Sequence, residues 1–109
     1  MTTPRRALAG LLGAALAVAP LPVLAAGHVY PVVIRQMAFA PPPAHLRVGD
    51  VIEWANDDIF LHSATAKDHS FDVTLKPKAR VRMPLTKAGT FDFICRYHPG
   101  MKGRLVVGP

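Results

Sequence analysis

The sequence predicts an all-β protein built as one small sandwich of strands. Several short runs alternate apolar and polar residues with a period of two, and Gly, Pro and Asp turns separate them at intervals of about 8–12 residues. After residue 25, no segment carries the 3.6-residue apolar stripe of an amphipathic helix. The chain has 109 residues, 11 of them Pro and 8 Gly. That length allows one domain and excludes a multidomain enzyme.

The first 25 residues are expected to lie outside that domain. Arg5 and Arg6 give a positive start, and an uncharged apolar run follows over residues 7–19. This run is shorter than the roughly 20 residues that a membrane-spanning helix needs. The pattern is typical of a cleaved signal peptide, and the paired arginines leave both the Sec and the twin-arginine routes open. We therefore predict a signal peptide at 1–25 and an exported, periplasmic domain at 26–109 without a membrane span.

Four runs after residue 25 carry the period-two pattern. The residues predicted to face the core are Ile52 and Trp54 in the first run, Val81, Met83 and Leu85 in the second, Phe91, Phe93 and Cys95 in the third, and Leu105 and Val107 in the last. Charged residues stand between them, at Glu53, Arg80, Arg82 and Asp92. Successive side chains of a strand point to opposite faces, so each run has one buried face. The runs predict an antiparallel sandwich or barrel.

The single cysteine, Cys95, occupies an informative position. The alternation that buries Phe91 and Phe93 also turns Cys95 toward the core, at the end of its strand. One thiol cannot form an internal disulfide, yet in an exported protein it has to persist in an oxidising compartment. Metal ligation is one reason to keep a free thiol there.

Cys95 opens a C-x2-H-x2-M cluster that continues with His98 and Met101. Two histidines and a cysteine with a weak axial methionine define a blue-copper site. The loop supplies one histidine, so we expect the second, His62, from a neighbouring strand. The predicted ligands of a copper ion are therefore His62, Cys95, His98 and Met101.

Each of these residues alone is more often structural, since a lone buried cysteine or methionine usually belongs to the core. Their occurrence together in one strand-end loop favours a metal site. Zinc is the alternative metal, but structural zinc sites prefer more thiolates or histidines and no thioether.

Beyond these ligands, the chain resembles the cupredoxins, specifically the small bacterial plastocyanin- and amicyanin-like proteins. The segments that carry the resemblance are 37–41, 46–57, 62–65, 70–72, 87–95 and 98–103. The short spacing between His98 and Met101 is similar to that of amicyanin. The resemblance implies a Greek-key cupredoxin sandwich with one type 1 copper ion that alternates between Cu(I) and Cu(II). It implies transfer of single electrons between redox partners.

Two residues depart from the pattern of that family. Ser63 stands where an asparagine commonly ties the two ligand loops together by hydrogen bonds, and a serine reaches less far. Arg96 stands where a small hydroxyl residue is frequent. We expect Arg96 to affect docking more than the metal.

The resemblance favours an electron carrier over an enzyme, because copper enzymes of this fold need additional His-x-His copper sites and several domains. Copper delivery or storage is the alternative function.

Without the signal peptide, the formal charge is +4, from 11 basic and 7 acidic residues. Arg96 and Lys102 flank His98, so we expect redox partners with an acidic docking surface, such as a cytochrome c or a periplasmic dehydrogenase. We expect no nucleic acid partner, and a monomer.

A second copper site is a separate hypothesis for the start of the exported chain. Cleavage after Ala25 would leave Ala26, Gly27 and His28 at the amino terminus. The amine, two amide nitrogens and the imidazole can then form a tetragonal nitrogen site for Cu(II). Cleavage after Ala26 fits the small-residue rule nearly as well.

Overall fold

The computed structural model describes residues 2–3 and 27–109. Its strands are β1 (Val29–Arg35), β2 (Ala38–Phe39), β3 (Leu46–Arg47), β4 (Val51–Asn56), β5 (His62–Ala66), β6 (Asp72–Leu75), β7 (Arg80–Pro84), β8 (Gly89–Ile94) and β9 (Lys102–Gly108). Sheet I has the order β2-β1-β4-β7, and sheet II has the order β3-β9-β8-β5-β6. The predicted all-β sandwich is confirmed.

The signal peptide predicted at 1–25 lies outside the described residues, apart from residues 2 and 3. The described segments contain no helix suited to crossing a bilayer.

Both sheets are mixed, whereas the sequence pattern indicated an antiparallel sandwich or barrel. Strand β1 runs parallel to β4, and β3 runs parallel to β9, whereas the other pairs are antiparallel. The alternation of side chains reports which face a residue occupies but carries no information on the direction of the neighbouring strand. The sequence pattern therefore predicted the faces correctly without predicting the pairing.

The core lies between the sheets and follows the predicted alternation. In sheet I, Ile52 and Trp54 are fully buried, while Glu53 lies on the outer face opposite Arg82. In sheet II, Phe93 is fully buried, and its ring meets Trp54 edge-on with centroids 5.2 Å apart. Such aromatic pairs contribute about 0.5–1.5 kcal/mol beyond their buried area. This contact joins the two sheets two residues before Cys95.

A two-residue turn, Gln36 and Met37, connects β1 to β2. Both residues have positive φ, 51° and 61°, which the twist of a tight hairpin favours but which residues with a Cβ adopt only at a cost. Their backbone N–H groups donate to the carboxylate of Asp58 at 2.8 and 3.0 Å. Asp58 thus fixes this turn against the segment that leads into β5.

Candidate metal centre

The start of β5 and the end of β8 meet at one end of the sandwich. These strands are antiparallel neighbours, with Thr65 opposite Ile94. The pairing places His62, the first residue of β5, close to Cys95, which directly follows β8. Both side chains are fully buried.

The loop from Cys95 to Met101 is closed by its own backbone. The N–H of Cys95 donates to the Met101 carbonyl at 3.0 Å, and the N–H of Met101 donates to the His98 carbonyl at 2.8 Å. The N–H of His98 donates to the Cys95 carbonyl at 3.3 Å. The loop therefore presents His98 toward Cys95 from a fixed backbone.

Three of the four predicted ligands bring their donor atoms together. Sγ of Cys95 lies 3.7 Å from Nδ1 of His62 and 3.8 Å from Nδ1 of His98, and all three donor atoms lie within 4.8 Å of one another. With the bond lengths known for zinc, about 2.1 Å to nitrogen and about 2.3 Å to sulfur, donors at 120° around one ion would be about 3.8 Å apart. The three atoms therefore fit a single metal ion, and one thiolate with two imidazoles is a donor set that suits copper.

The fourth predicted ligand, Met101, lies in the same closed loop. It is 5% exposed and belongs to the hydrophobic core cluster that also contains Cys95. Its backbone carbonyl accepts the N–H of Cys95, so the two residues are held together through the main chain. A buried thioether in this loop would be available to a bound copper ion as a weak fourth ligand.

Asp58, which the sequence analysis did not single out, orients His62. Its Oδ2 lies 2.8 Å from Nε2 of His62. Burial acts to raise the pKa of Asp58, but the N–H groups of Met37 and Gln36 and the imidazole of His62 together lower that pKa below its usual range. An ionised carboxylate only accepts hydrogen bonds, so Nε2 donates to Asp58 and the ring is oriented with Nδ1 toward Cys95. A carboxylate in this position is a common support for a metal-binding histidine. The one available signal was an acidic residue four positions before His62.

Ser63 ties the two ligand segments together despite its short side chain. Its Oγ accepts the backbone N–H of Arg96 at 2.8 Å, and its own N–H donates to Sγ of Cys95 at 3.4 Å. Arg96, which was expected to affect docking, forms an ion pair with Asp72 and also donates to Thr74, so part of its charge is balanced within the protein.

His98 lies at the border between the buried site and the surface. It is partly buried, whereas His62 is fully buried. The ring of Phe60 meets the His98 ring with centroids 6.5 Å apart. Four exposed apolar residues lie on the 58–61 segment beside His98 or on the turn that Asp58 binds, and we call them the apolar rim: Met37, Ile59, Phe60 and Leu61. The rim makes this end of the protein suitable for close contact with another protein.

The hypothetical amino-terminal copper site includes Ala26, which lies outside the described residues. Gly27 and His28 are packed against the domain: the N–H of His28 donates to Asp50 at 3.1 Å, and a Cβ at Gly27 would lie 2.0 Å from the carbonyl oxygen of Gly49. In that site the amide nitrogen of His28 would bind copper, but in the structure this N–H donates to Asp50. Such a site would therefore require this segment to detach.

Comparisons with known proteins agree with this geometry. The family model for the cupredoxin-like domain matches residues 8–107. The sequence is 29% identical to the amicyanin of Paracoccus denitrificans over 80 residues, which cover 68% of this chain and 61% of that protein. It is 30% identical to amicyanin-alpha of Methylorubrum extorquens over 80 residues, 68% of this chain and 67% of that protein. The chain thus spans 61–67% of the length of these curated relatives.

Solved structures of amicyanin variants share the fold. A Cu(I) form of one variant matches with a TM-score of 0.65 and 27% identity, covering 72% of this chain and 81% of that one. A second Cu(I) variant matches with a TM-score of 0.63 and 29% identity, covering 74% and 81%. With its mixed β-sandwich and its Cys-His-His cluster, the chain belongs to the cupredoxin-like family.

Proposed function

We propose that this protein is a type 1 copper electron carrier in which His62, Cys95, His98 and Met101 hold the metal. The observation that carries the proposal is the convergence of one thiol and two imidazole nitrogens at separations of 3.7 and 3.8 Å. The copper ion, when bound, supplies the one-electron couple between Cu(I) and Cu(II). The amicyanins solved in the Cu(I) form support this reading.

The residues of the chain hold the donor atoms in place and exclude water. Cys95 and His62 are fully buried, and Asp58 fixes the ring of His62. Backbone hydrogen bonds close the loop that carries His98. A donor set fixed in this way changes little between the two oxidation states, which favours rapid electron transfer and does not favour a catalytic cycle.

We infer that electrons enter and leave through His98. This ligand is the more exposed of the two histidines, and its ring contacts Phe60 of the apolar rim. A partner that covers the rim would come within a short distance of the metal. The export and periplasmic location that we propose rest on the predicted signal peptide at 1–25.

Exposed cations lie beside the apolar rim. Four of them alternate in sequence from the connection between β6 and β7 into β7, the edge strand of sheet I, and form what we call the basic stripe: Lys76, Lys78, Arg80 and Arg82. Glu53 and Asp57 pair with parts of the stripe, but Asp57 also pairs with Arg35, so positive charge remains in excess.

Asn56 connects the stripe to the rim. Its side-chain amide donates to the carbonyls of Phe60 at 2.8 Å and Lys76 at 3.2 Å. The basic stripe therefore begins where the rim ends. These positions support a redox partner with an acidic surface, such as a cytochrome c or a periplasmic dehydrogenase, and they add cations to Arg96 and Lys102, which flank His98 in the sequence.

Copper delivery or storage is the function that has to be distinguished. The buried Cys95 and His62 favour slow exchange of the metal, whereas delivery needs an accessible site. In the experiment, Cu(I)-loaded protein is mixed with hexacyanoferrate(III) in one arm and with an excess of a Cu(I) chelator in the other. For an electron carrier, we expect oxidation by hexacyanoferrate(III) to be complete soon after mixing, whereas transfer of copper to the chelator takes far longer. Transfer of copper to the chelator as fast as oxidation would contradict the proposal.

A further inference from the structure

A closed ring of hydrogen bonds lies beside the metal centre, outside the ligand set. The backbone N–H of Arg96 donates to Oγ of Ser63 at 2.8 Å, and this Oγ lies 2.9 Å from Oγ1 of Thr65. Oγ1 of Thr65 lies 2.8 Å from Oδ1 of Asp72, and Oδ2 of the same carboxylate accepts the guanidinium of Arg96. We call these four residues the Asp72 ring.

The carboxylate sets the direction of every bond in the ring. It can only accept, so the single hydroxyl proton of Thr65 points to Asp72. Oγ1 of Thr65 is then an acceptor for the hydroxyl proton of Ser63. Ser63, with its own proton committed, accepts the N–H of Arg96. The three bonds that lead from the Arg96 N–H to Asp72 therefore point the same way, and such a chain is strengthened by mutual polarisation.

The ring joins the two segments that carry the ligands. Ser63 directly follows His62, and Arg96 directly follows Cys95. The N–H of Ser63 donates to Sγ of Cys95 at 3.4 Å in a fully buried contact. The position of this N–H relative to the sulfur therefore depends on the hydroxyl of the same residue, which the ring holds.

We propose that Asp72 is a positioning residue that acts through Thr65 and Ser63 to fix the N–H···S bond to Cys95, and that it thereby raises the reduction potential of the site. Hydrogen bonding around the cysteine sulfur tunes the potential of blue-copper sites. A donor to the sulfur reduces the electron density that the thiolate gives to the metal, which favours Cu(I). This inference rests on the proposed function, and it makes an exposed carboxylate on β6 a determinant of a buried site.

The direction of the change separates this role from a simple effect of charge. Loss of the Asp72 charge alone would favour Cu(I), because a nearby negative charge stabilises Cu(II) more than it stabilises Cu(I). Loss of the N–H···S bond favours Cu(II). Thr65→Val breaks the ring without changing any charge. If the ring acts as proposed, Thr65→Val and Asp72→Ala must each lower the reduction potential.

The experiment measures the Cu(II)/Cu(I) equilibrium of the copper-loaded protein against a reference couple. We expect Thr65→Val and Asp72→Ala each to shift the equilibrium severalfold toward Cu(II), where a tenfold shift corresponds to about 59 mV. The double variant should shift no further than the larger single change, because both break the same ring. The matched control is Asp92→Ala, which removes a carboxylate paired with Arg104 at 2.6 Å on neighbouring strands of sheet II. It should shift the equilibrium less than twofold.

A second readout uses the metal-free protein. Amide hydrogen exchange at Ser63 and Arg96 should become at least severalfold faster in Thr65→Val and Asp72→Ala, and remain unchanged in Asp92→Ala. The role of Asp72 would be overturned if either variant raised the reduction potential. It would also be overturned if the Cu(II)/Cu(I) equilibrium and the exchange rates of both variants stayed within twofold of wild type. Neither result would contradict copper binding by the wild type. Failure of the wild type to bind copper through Cys95 would instead overturn the proposed function, and the exchange rates would still show whether the ring holds Ser63.

Discussion

Nε2 of His62 lies 2.8 Å from Oδ2 of Asp58, and the same carboxylate accepts both N–H groups of the Gln36–Met37 turn. One side chain thus joins a hairpin turn with positive φ to a fully buried imidazole. The bond to Nε2 leaves Nδ1 free to face Cys95. The orientation of this ligand is therefore fixed from outside the ligand set.

Asp58→Ala should weaken copper binding by about 10–100-fold, the usual effect of removing a carboxylate that supports a metal-binding histidine. The reason is that the His62 ring loses the hydrogen-bond partner that fixes its orientation. Competition with a copper chelator measures the affinity. Asp57→Ala is the control, since that neighbouring carboxylate faces Arg35 and Arg80 instead. Equal affinities for the two variants would show that Asp58 does not orient the ligand.

Gly103→Ala should destabilise the protein by about 1–3 kcal/mol, as overpacking of a core typically does. A Cβ at Gly103 would lie 2.4 Å from Cζ of Phe93, whose ring is fully buried beside Trp54. Gly100→Ala is a matched change in the ligand loop, where a Cβ meets nothing within 4 Å. Denaturant unfolding of the metal-free variants compares the free energies. If both variants unfold alike, the close contact with Phe93 is not a constraint.

Reversal of charge in the basic stripe should slow electron transfer to an anionic oxidant. We expect Lys76→Glu and Lys78→Glu to reduce the second-order rate with hexacyanoferrate(III) severalfold at low salt, because opposite charges accelerate encounter. The difference should shrink above about 0.1 M salt, where the Debye length is about 10 Å.

Lys87→Glu provides the control for this prediction. Lys87 follows β7 at the opposite end of the sandwich, where Pro84 lies opposite Val51. The change in net charge is the same, so only the position differs. Equal slowing by Lys87→Glu would mean that net charge, and not the basic stripe, governs the encounter.

Acid should remove the contribution that the ion pair between Asp92 and Arg104 makes to the stability of the folded protein. The hydrogen bond from Arg104 holds the pKa of Asp92 below its usual value, even though burial opposes the shift. A carboxyl whose pKa is lower in the folded state stabilises the fold above its unfolded pKa of about 3.9, and this stabilisation disappears as the pH falls through the folded pKa. Unfolding at several pH values should show wild type more stable than Asp92→Asn at pH 6, with the difference lost in stronger acid. A difference independent of pH would contradict the ion pair.

The residues close together in sequence were the predictable part of the site. The alternation through Phe91, Phe93 and Cys95 and the spacing to His98 and Met101 are local, and they indicated both a buried thiol and a ligand loop. Asp58 and Asp72 were not predictable in the same way. Asp58 acts through a turn more than twenty residues earlier, and Asp72 acts through the pairing of β5 with β6, and neither relation leaves a mark in the alternation.

The reach of Ser63 illustrates the same limit. Comparison of side-chain lengths indicated that serine would bridge the ligand segments less well than asparagine. In the structure, Thr65 and Asp72 complete the bridge that the short side chain begins. The length of one side chain therefore did not decide the outcome, because neighbouring strands supplied the rest.

The visible absorption of the Cu(II)-loaded protein tests the central claim most directly, with Cys95→Ser compared against wild type and Met101→Ala. A thiolate bound to Cu(II) produces an intense charge-transfer band, so the wild type should be strongly coloured and Cys95→Ser should lose the band. Met101→Ala should keep the band, because the axial bond is weak. A wild type that binds Cu(II) without an intense band, or a Cys95→Ser variant that retains it, would contradict the assignment of Cys95 as the copper ligand.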